Sequence, residues 1–182
     1  MQPRSLGAGR SQARINAEWT ERMVWMKNKI AIAAMASMLL ALAGSCPVYA
    51  LEGQEVEEIS ARVGEEFGIC PELLQAVAWQ ESRYQEDAEA GGCSGLMQVA
   101  QRWHQERMDR LGVTDLHDPE GNMRVAADYL AELFARYEDV GLVLMAYNGD
   151  SRAGEYQETG ELSGYAAAVL EKSYQLESEH GK

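Results

Sequence analysis

Positive charge is scarce along most of this chain. Residues 1–50 hold six of the sixteen Lys/Arg and only two of the twenty-nine Asp/Glu, which leaves ten cations against twenty-seven acids over residues 51–182. Non-specific DNA or RNA binding needs Lys and Arg to neutralise phosphates, so that class is excluded for the acidic body. Histidine is scarce too: His104, His117 and His180 are scattered and share no ligand spacing with the cysteines, and neither a metal site nor a cofactor is expected. Strand signals are almost absent, and no internal repeat or Pro/Ser linker interrupts residues 51–182. A chain of 182 residues therefore has room for one cored domain and one site. Its 46% of hydrophobic residues, set in amphipathic stretches, excludes disorder throughout.

One apolar run stands out near the start. Residues 30–44 carry no charge, follow Lys27 and Lys29, and lead to Val48-Tyr49-Ala50. This is the layout of a secretory signal peptide cleaved after Ala50, over residues 23–50, with Met23 or Met26 as the start and residues 1–22 as an extension that no signal needs. The alternative is an uncleaved membrane anchor, against which Gly44, Ser45 and Pro47 count as poor spanning residues. Ala43 stands where lipidation sites carry Leu, so lipidation of Cys46 ranks third. The product is expected to be secreted or held in the cell envelope. In such an oxidising compartment the remaining pair, Cys70 and Cys93, predicts a disulfide; two buried thiols are the alternative.

The mature region reads as a succession of short helices. The first spans about Glu52 to Phe67, with Val56, Ile59, Val63 and Phe67 on one face and Gly68 ending it. Pro71 suits the first turn of a second helix reaching about Tyr84. Residues Gln85 to Ser94 read as a loop or small hairpin. Further helices fit Gln98–Leu111, Asn122–Tyr137, Val140–Ala146 and Ser163–Leu176, with a polar, frayed tail from Glu177. The fold class is all-α with at most a small hairpin.

The informative anomaly is Glu81. It lies four residues after Val77 and seven after Leu74, so a carboxylate shares the face that otherwise points at the core. Burial there disfavours the charged form, which suits a general acid near neutral pH. By position alone, a structural glutamate paired with an arginine such as Arg83 is the stronger reading. The neighbouring sequence decides between them: Glu81-Ser82, then Gly95-Leu96-Met97-Gln98, then Ala146-Tyr147-Asn148.

These three motifs, in this order, resemble those of the soluble lytic transglycosylases of the goose-lysozyme-like superfamily, over about Ile69 to Leu170. The resemblance implies a single lysozyme-like domain over residues 51–182 that cleaves the bond between N-acetylmuramic acid and N-acetylglucosamine in peptidoglycan. It implies that Glu81 is the sole catalytic carboxylate, acting as acid and then as base. The substrate acetamide assists, and the muramyl 6-hydroxyl closes a 1,6-anhydro ring. It further implies substrate contacts at Ser82, Met97, Gln98, Tyr147, Asn148 and, more loosely, Tyr165, with Tyr147 orienting Glu81. Two stretches depart from the family pattern: Tyr84-Gln85-Glu86 replaces Phe-Asn-Pro, and Gly149-Asp150-Ser151 follows Ala-Tyr-Asn.

Two rivals stay open. A goose-type lysozyme would place a water-activating carboxylate among Glu86, Asp87 and Glu89, although an acidic loop on an acidic chain is ordinarily solvated surface. An inactive helical glycan-binding or scaffold module is the other, and a core-facing acid argues against it. Because peptidoglycan is itself partly anionic, long-range attraction does not recruit this domain. A monomer brought to the wall by a partner, such as secretion or conjugation machinery, is the expected arrangement.

Overall fold

The computed structural model describes residues 50–181, and the signal segment, Cys46 and the start methionines lie outside the described residues. Seven helices and one short hairpin make up this part: α1 Gly53–Phe67, α2 Pro71–Ser82, β1 Glu89–Ala90, β2 Cys93–Ser94, α3 Gln101–Leu111, α4 Pro119–Arg136, α5 Val140–Asn148, α6 Ala153–Thr159 and α7 Gly164–Glu179. The architecture is all-α and lysozyme-like, as expected.

Local chemistry sets the boundaries. α1 buries Val56, Ile59 and Val63 and stops at Gly68, whose φ of 67° is costly for other residues. α2 starts on Pro71 and is apolar nearly all round through Leu73, Leu74, Ala76, Val77 and Ala78, which marks an interior helix. It is packed between α1 and α7. Side-chain caps open three later helices: Asp118 accepts from the Gly121 N–H (2.7 Å), Asp139 from Leu142 (3.0 Å) and Ser163 from Ala166 (3.2 Å). α7 lies along α2 and fastens it at both ends. Tyr165 bonds Glu81 (2.9 Å), and at the far end the His180 ring meets the buried carboxylate of Glu72 (2.9 Å).

Several boundaries differ from those read in the sequence. α2 ends at Ser82 because Arg83 and Tyr84 turn left-handed, at φ 57° and 65°. α3 starts at Gln101, because Gln98 also has positive φ (49°) and Ser94 bridges Val99. α4 starts at Pro119, ahead of the expected Asn122, because Asp118 caps it there; α6 was not among the expected helices, and the tail expected to fray from Glu177 continues α7 to Glu179. Between β1 and β2, Gly91 and Gly92 both have positive φ, the geometry of a primed hairpin turn, with Glu89 opposite Ser94 and Ala90 opposite Cys93.

The expected disulfide between Cys70 and Cys93 is absent. Cys70 precedes the first turn of α2, whereas Cys93 sits in the hairpin against the other end. Twelve residues of helix span about 18 Å, well beyond the Cα separation of about 7 Å that a bridge tolerates. The Cys70 thiol instead donates to Glu72 Oε2 (3.0 Å), and burial together with that carboxylate pushes its pKa up. We expect an alkylating reagent on the folded protein to label exposed Cys70 slowly and buried Cys93 only after denaturant is added, with no change in melting temperature on reduction. Peptide mass mapping reads this directly, and a Cys70–Cys93 linked peptide would contradict it.

Candidate active site

Glu81 occupies the last turn of α2, half-buried, with Oε1 accepting a hydrogen bond from the Tyr165 hydroxyl (2.9 Å). Ser163 sets where α7 begins and so places Tyr165 one residue inside the helix. Tyr147, on the last turn of α5, donates instead to the carbonyl of Met97 (2.9 Å). The phenol that donates to Glu81 is thus that of Tyr165, while the hydroxyl of Tyr147, expected to orient this carboxylate, is given to the Met97 carbonyl and so anchors the loop that bears it.

That loop is built from the inside. Asn122, fully buried on α4, donates through Nδ2 to the carbonyls of Ser94 and Leu116 (both 2.8 Å) and accepts at Oδ1 from the Met97 N–H (2.7 Å). Gly95 has φ 76°, and a Cβ there would be driven into the Leu116 carbonyl and the Asn122 amide. Ser82, 7% exposed, donates into the Leu96 carbonyl (2.8 Å) and lies near that of Ala78 (3.2 Å). It ties α2 to the loop, with its hydroxyl turned inward. Met97 is 0% exposed, so its side chain supports the floor from below and does not line it. Gln98 is 8% exposed and locks its Nε2 onto the carbonyls of Ala88 and Gly95 (both 3.0 Å). Asn148 is half-buried at the end of α5, beside Tyr147 in sequence.

A stack of rings backs Tyr147: Tyr129 lies 5.8 Å from it and His104 4.9 Å beyond, centroid to centroid. The guanidinium of Arg107, held by Asp128, covers Tyr129 at 5.3 Å. Tyr129 and Asn122 were missed by sequence reasoning. Asn122 had a usable signal, since a polar residue stands four before Ala126 and eight before Leu130 on an otherwise apolar face.

Burial first, and the charge of Glu81 second, push the phenols of Tyr147 and Tyr165 well above the ordinary tyrosine range. Both therefore remain hydrogen-bond donors wherever the domain is folded. The unfolded chain gives up these protons near about pH 10 while the folded chain keeps them. Stability is thus fully present below about pH 10 and falls as pH rises through the folded values. Urea midpoints measured across that range should decline with pH, and a flat profile would contradict the burial of these phenols.

Of the loop acids, Glu89 is committed elsewhere: it pairs with His117 (3.0 Å) and accepts from Ser94 Oγ (2.9 Å). Asp87 is exposed and Glu86 half-buried in the same turn.

The family description "Transglycosylase SLT domain" matches residues 58–162. Two curated proteins called X polypeptide, from Escherichia coli and from its strain K12, are each 36% identical over 114 residues, which is 58% of this chain and 66% of theirs. The chain thus spans just under two thirds of the length of these relatives. Among solved structures, an inactive mutant of lytic transglycosylase Slt from Pseudomonas aeruginosa superposes with a TM-score of 0.59 at 22% identity, over 68% of this chain and 24% of that one.

Proposed function

The chain belongs to the transglycosylase SLT domain family, and from that premise we propose that it cleaves peptidoglycan glycan strands between N-acetylmuramic acid and N-acetylglucosamine, leaving 1,6-anhydromuramyl ends. Glu81 protonates the glycosidic oxygen as the C1–O bond breaks. The 2-acetamido oxygen of the muramyl sugar closes on C1 from the other face, so the positive charge resides on an oxazolinium-like ring and no enzyme nucleophile is required. The Glu81 carboxylate then takes the proton of the 6-hydroxyl, whose oxygen attacks C1 and expels the acetamide. The acid is left reprotonated for the next cycle and no water is consumed.

The observation that carries this reading is the Tyr165 hydrogen bond to Glu81, which holds the rotation of a single carboxylate through both proton transfers. The engagement of Glu89 by His117 and Ser94 supports it, because it takes a rival water-activating base out of play. Asn148 and the exposed edge of Gln98 would meet the sugar's acetamido groups. Export through the segment at 23–50, and recruitment to the wall by secretion or conjugation machinery, belong to the same reading. The test is digestion of purified sacculi with mass spectrometry of the muropeptides. Products lighter by one water than lysozyme products are expected, and reducing-end products would transfer the chain to the hydrolases.

A further inference from the structure

Cations are rare on this chain, and most are spoken for. Arg62, Arg107, Arg110, Arg124, Arg136 and Arg152 each hold a carboxylate in an ion pair. Arg83 and Lys172 stand apart: among the described residues neither has a carboxylate within ion-pair distance. Both converge on one indole. The Arg83 guanidinium lies 4.8 Å and the Lys172 ammonium 5.5 Å from the centroid of Trp79. Trp79 is also 38% exposed, one of two large apolar side chains left open among the described residues, and Tyr84 braces it edge-on at 5.2 Å. Arg83 reaches this position from a left-handed backbone (φ 57°), anchored by a bond from Nη1 to the Trp79 carbonyl (2.9 Å). Two unneutralised cations over an open aromatic ring, on a surface otherwise rich in acid, match a ligand that brings carboxylates and some apolar surface.

The location narrows the ligand. Trp79 lies on the last turn of α2 with the Arg83 side chain folded back onto it from just past the helix end, and Glu81, two residues after Trp79, projects from the other side of that turn, so about 10 Å, the width of a helix, separates Glu81 from the indole. Along α7, Lys172 follows Tyr165 by seven residues, again about 10 Å. A peptide of three residues extends about 10 Å. A muramyl sugar at Glu81 carries its peptide stem on the lactyl group, and such a stem passing round the end of α2 delivers its carboxylates to this patch.

We propose that Trp79, Arg83 and Lys172 form a subsite for the acidic peptide stem of the wall substrate, so that the enzyme selects glycan whose stems are still attached. This rests on the reading of Glu81 given above. Two arms separate the claims. In the first, a soluble stem tripeptide with free carboxylates, and the same peptide fully amidated, are titrated calorimetrically into the full chain. The acidic peptide should bind, the amidated form should bind about tenfold more weakly, and an Arg83→Gln/Lys172→Gln variant should lose about as much. Equal binding of the two peptides, an unaffected variant, or equally effective competition by inorganic phosphate would overturn the assignment. In the second arm, turnover on stem-bearing strands is divided by turnover on strands stripped by an amidase. That ratio should fall about tenfold in the double variant, and an unchanged ratio overturns the subsite. Absence of cleavage on both substrates would refute the transglycosylase reading while leaving the peptide titration to judge the patch.

Discussion

Glu81→Gln is expected to cut the release of soluble muropeptides from sacculi by about a thousandfold, the scale of one general acid–base group that serves in two steps. The substitution keeps the volume and the polar contact to Tyr165, so melting temperature and co-sedimentation with sacculi should stay at wild-type values. Kinetics by dye release, set beside circular dichroism of the same sample, distinguish lost chemistry from lost fold. Turnover within tenfold of wild type would remove Glu81 from the mechanism. Tyr165→Phe offers a graded companion: it leaves the ring in place and deletes one hydrogen bond to the carboxylate, so a loss of about tenfold in kcat with little change in KM is expected.

Gly95→Ala should be the most damaging single methyl group in the domain. The position has φ 76°, which is strained for alanine, and the new Cβ meets a backbone carbonyl and the buried Asn122 amide, neither of which can swing aside. Displacing Asn122 leaves the Leu116 and Ser94 carbonyls and the Met97 N–H unsatisfied in the interior, each worth about 1–3 kcal/mol. A loss of roughly 4 kcal/mol is expected, which lowers the melting temperature by about 15 °C for a domain of this size. Ala at Gly53 or Gly154, where no atom lies within reach of a Cβ, is the control. A fall of less than about 1 kcal/mol would show that the loop does not depend on this close approach.

How much of this was legible in the sequence depended on the range of the interaction. Helical periodicity is local and marks Glu81 as a carboxylate on the Leu74–Val77 face, but its assignment as an acid came from the three motifs and the family they resemble. The starts at Val140 and Ser163 were close because their caps, Asp139 and Ser163, act over three residues, whereas the Asp118 cap that starts α4 at Pro119 was not read. Partner choice across the fold was harder. Tyr147 and Tyr165 are both aromatic residues beside the site, and nothing local tells which phenol reaches Glu81 and which reaches Met97; the crossing of α5 and α7 over α2 decides it. Ser82 read as a sugar ligand because it neighbours the catalytic acid, yet its place on the helix turns it inward to the Leu96 carbonyl. Cysteine parity predicted a bridge, but parity carries no distance, and a whole helix separates Cys70 from Cys93. Positive φ at Arg83, Tyr84 and Gln98 is imposed by tertiary contacts on residues without a strong local preference for it, which is why the ends of α2 and α3 were misplaced.

The two fastenings between α2 and α7 have a bearing on the order of events during synthesis. Glu81 is joined to Tyr165 and Glu72 to His180, pairs 84 and 108 residues apart in the chain. α2 is made early, but its half-buried Glu81 and buried Glu72 wait for α7, which is made much later, and closing such long loops is the slow part of folding. A nascent chain that has emerged only as far as α5 holds every motif residue of the first three groups and still lacks the phenol that aligns its acid. Alignment of the Glu81 carboxylate is thereby deferred until residues 164–180 have emerged and α7 can dock along α2.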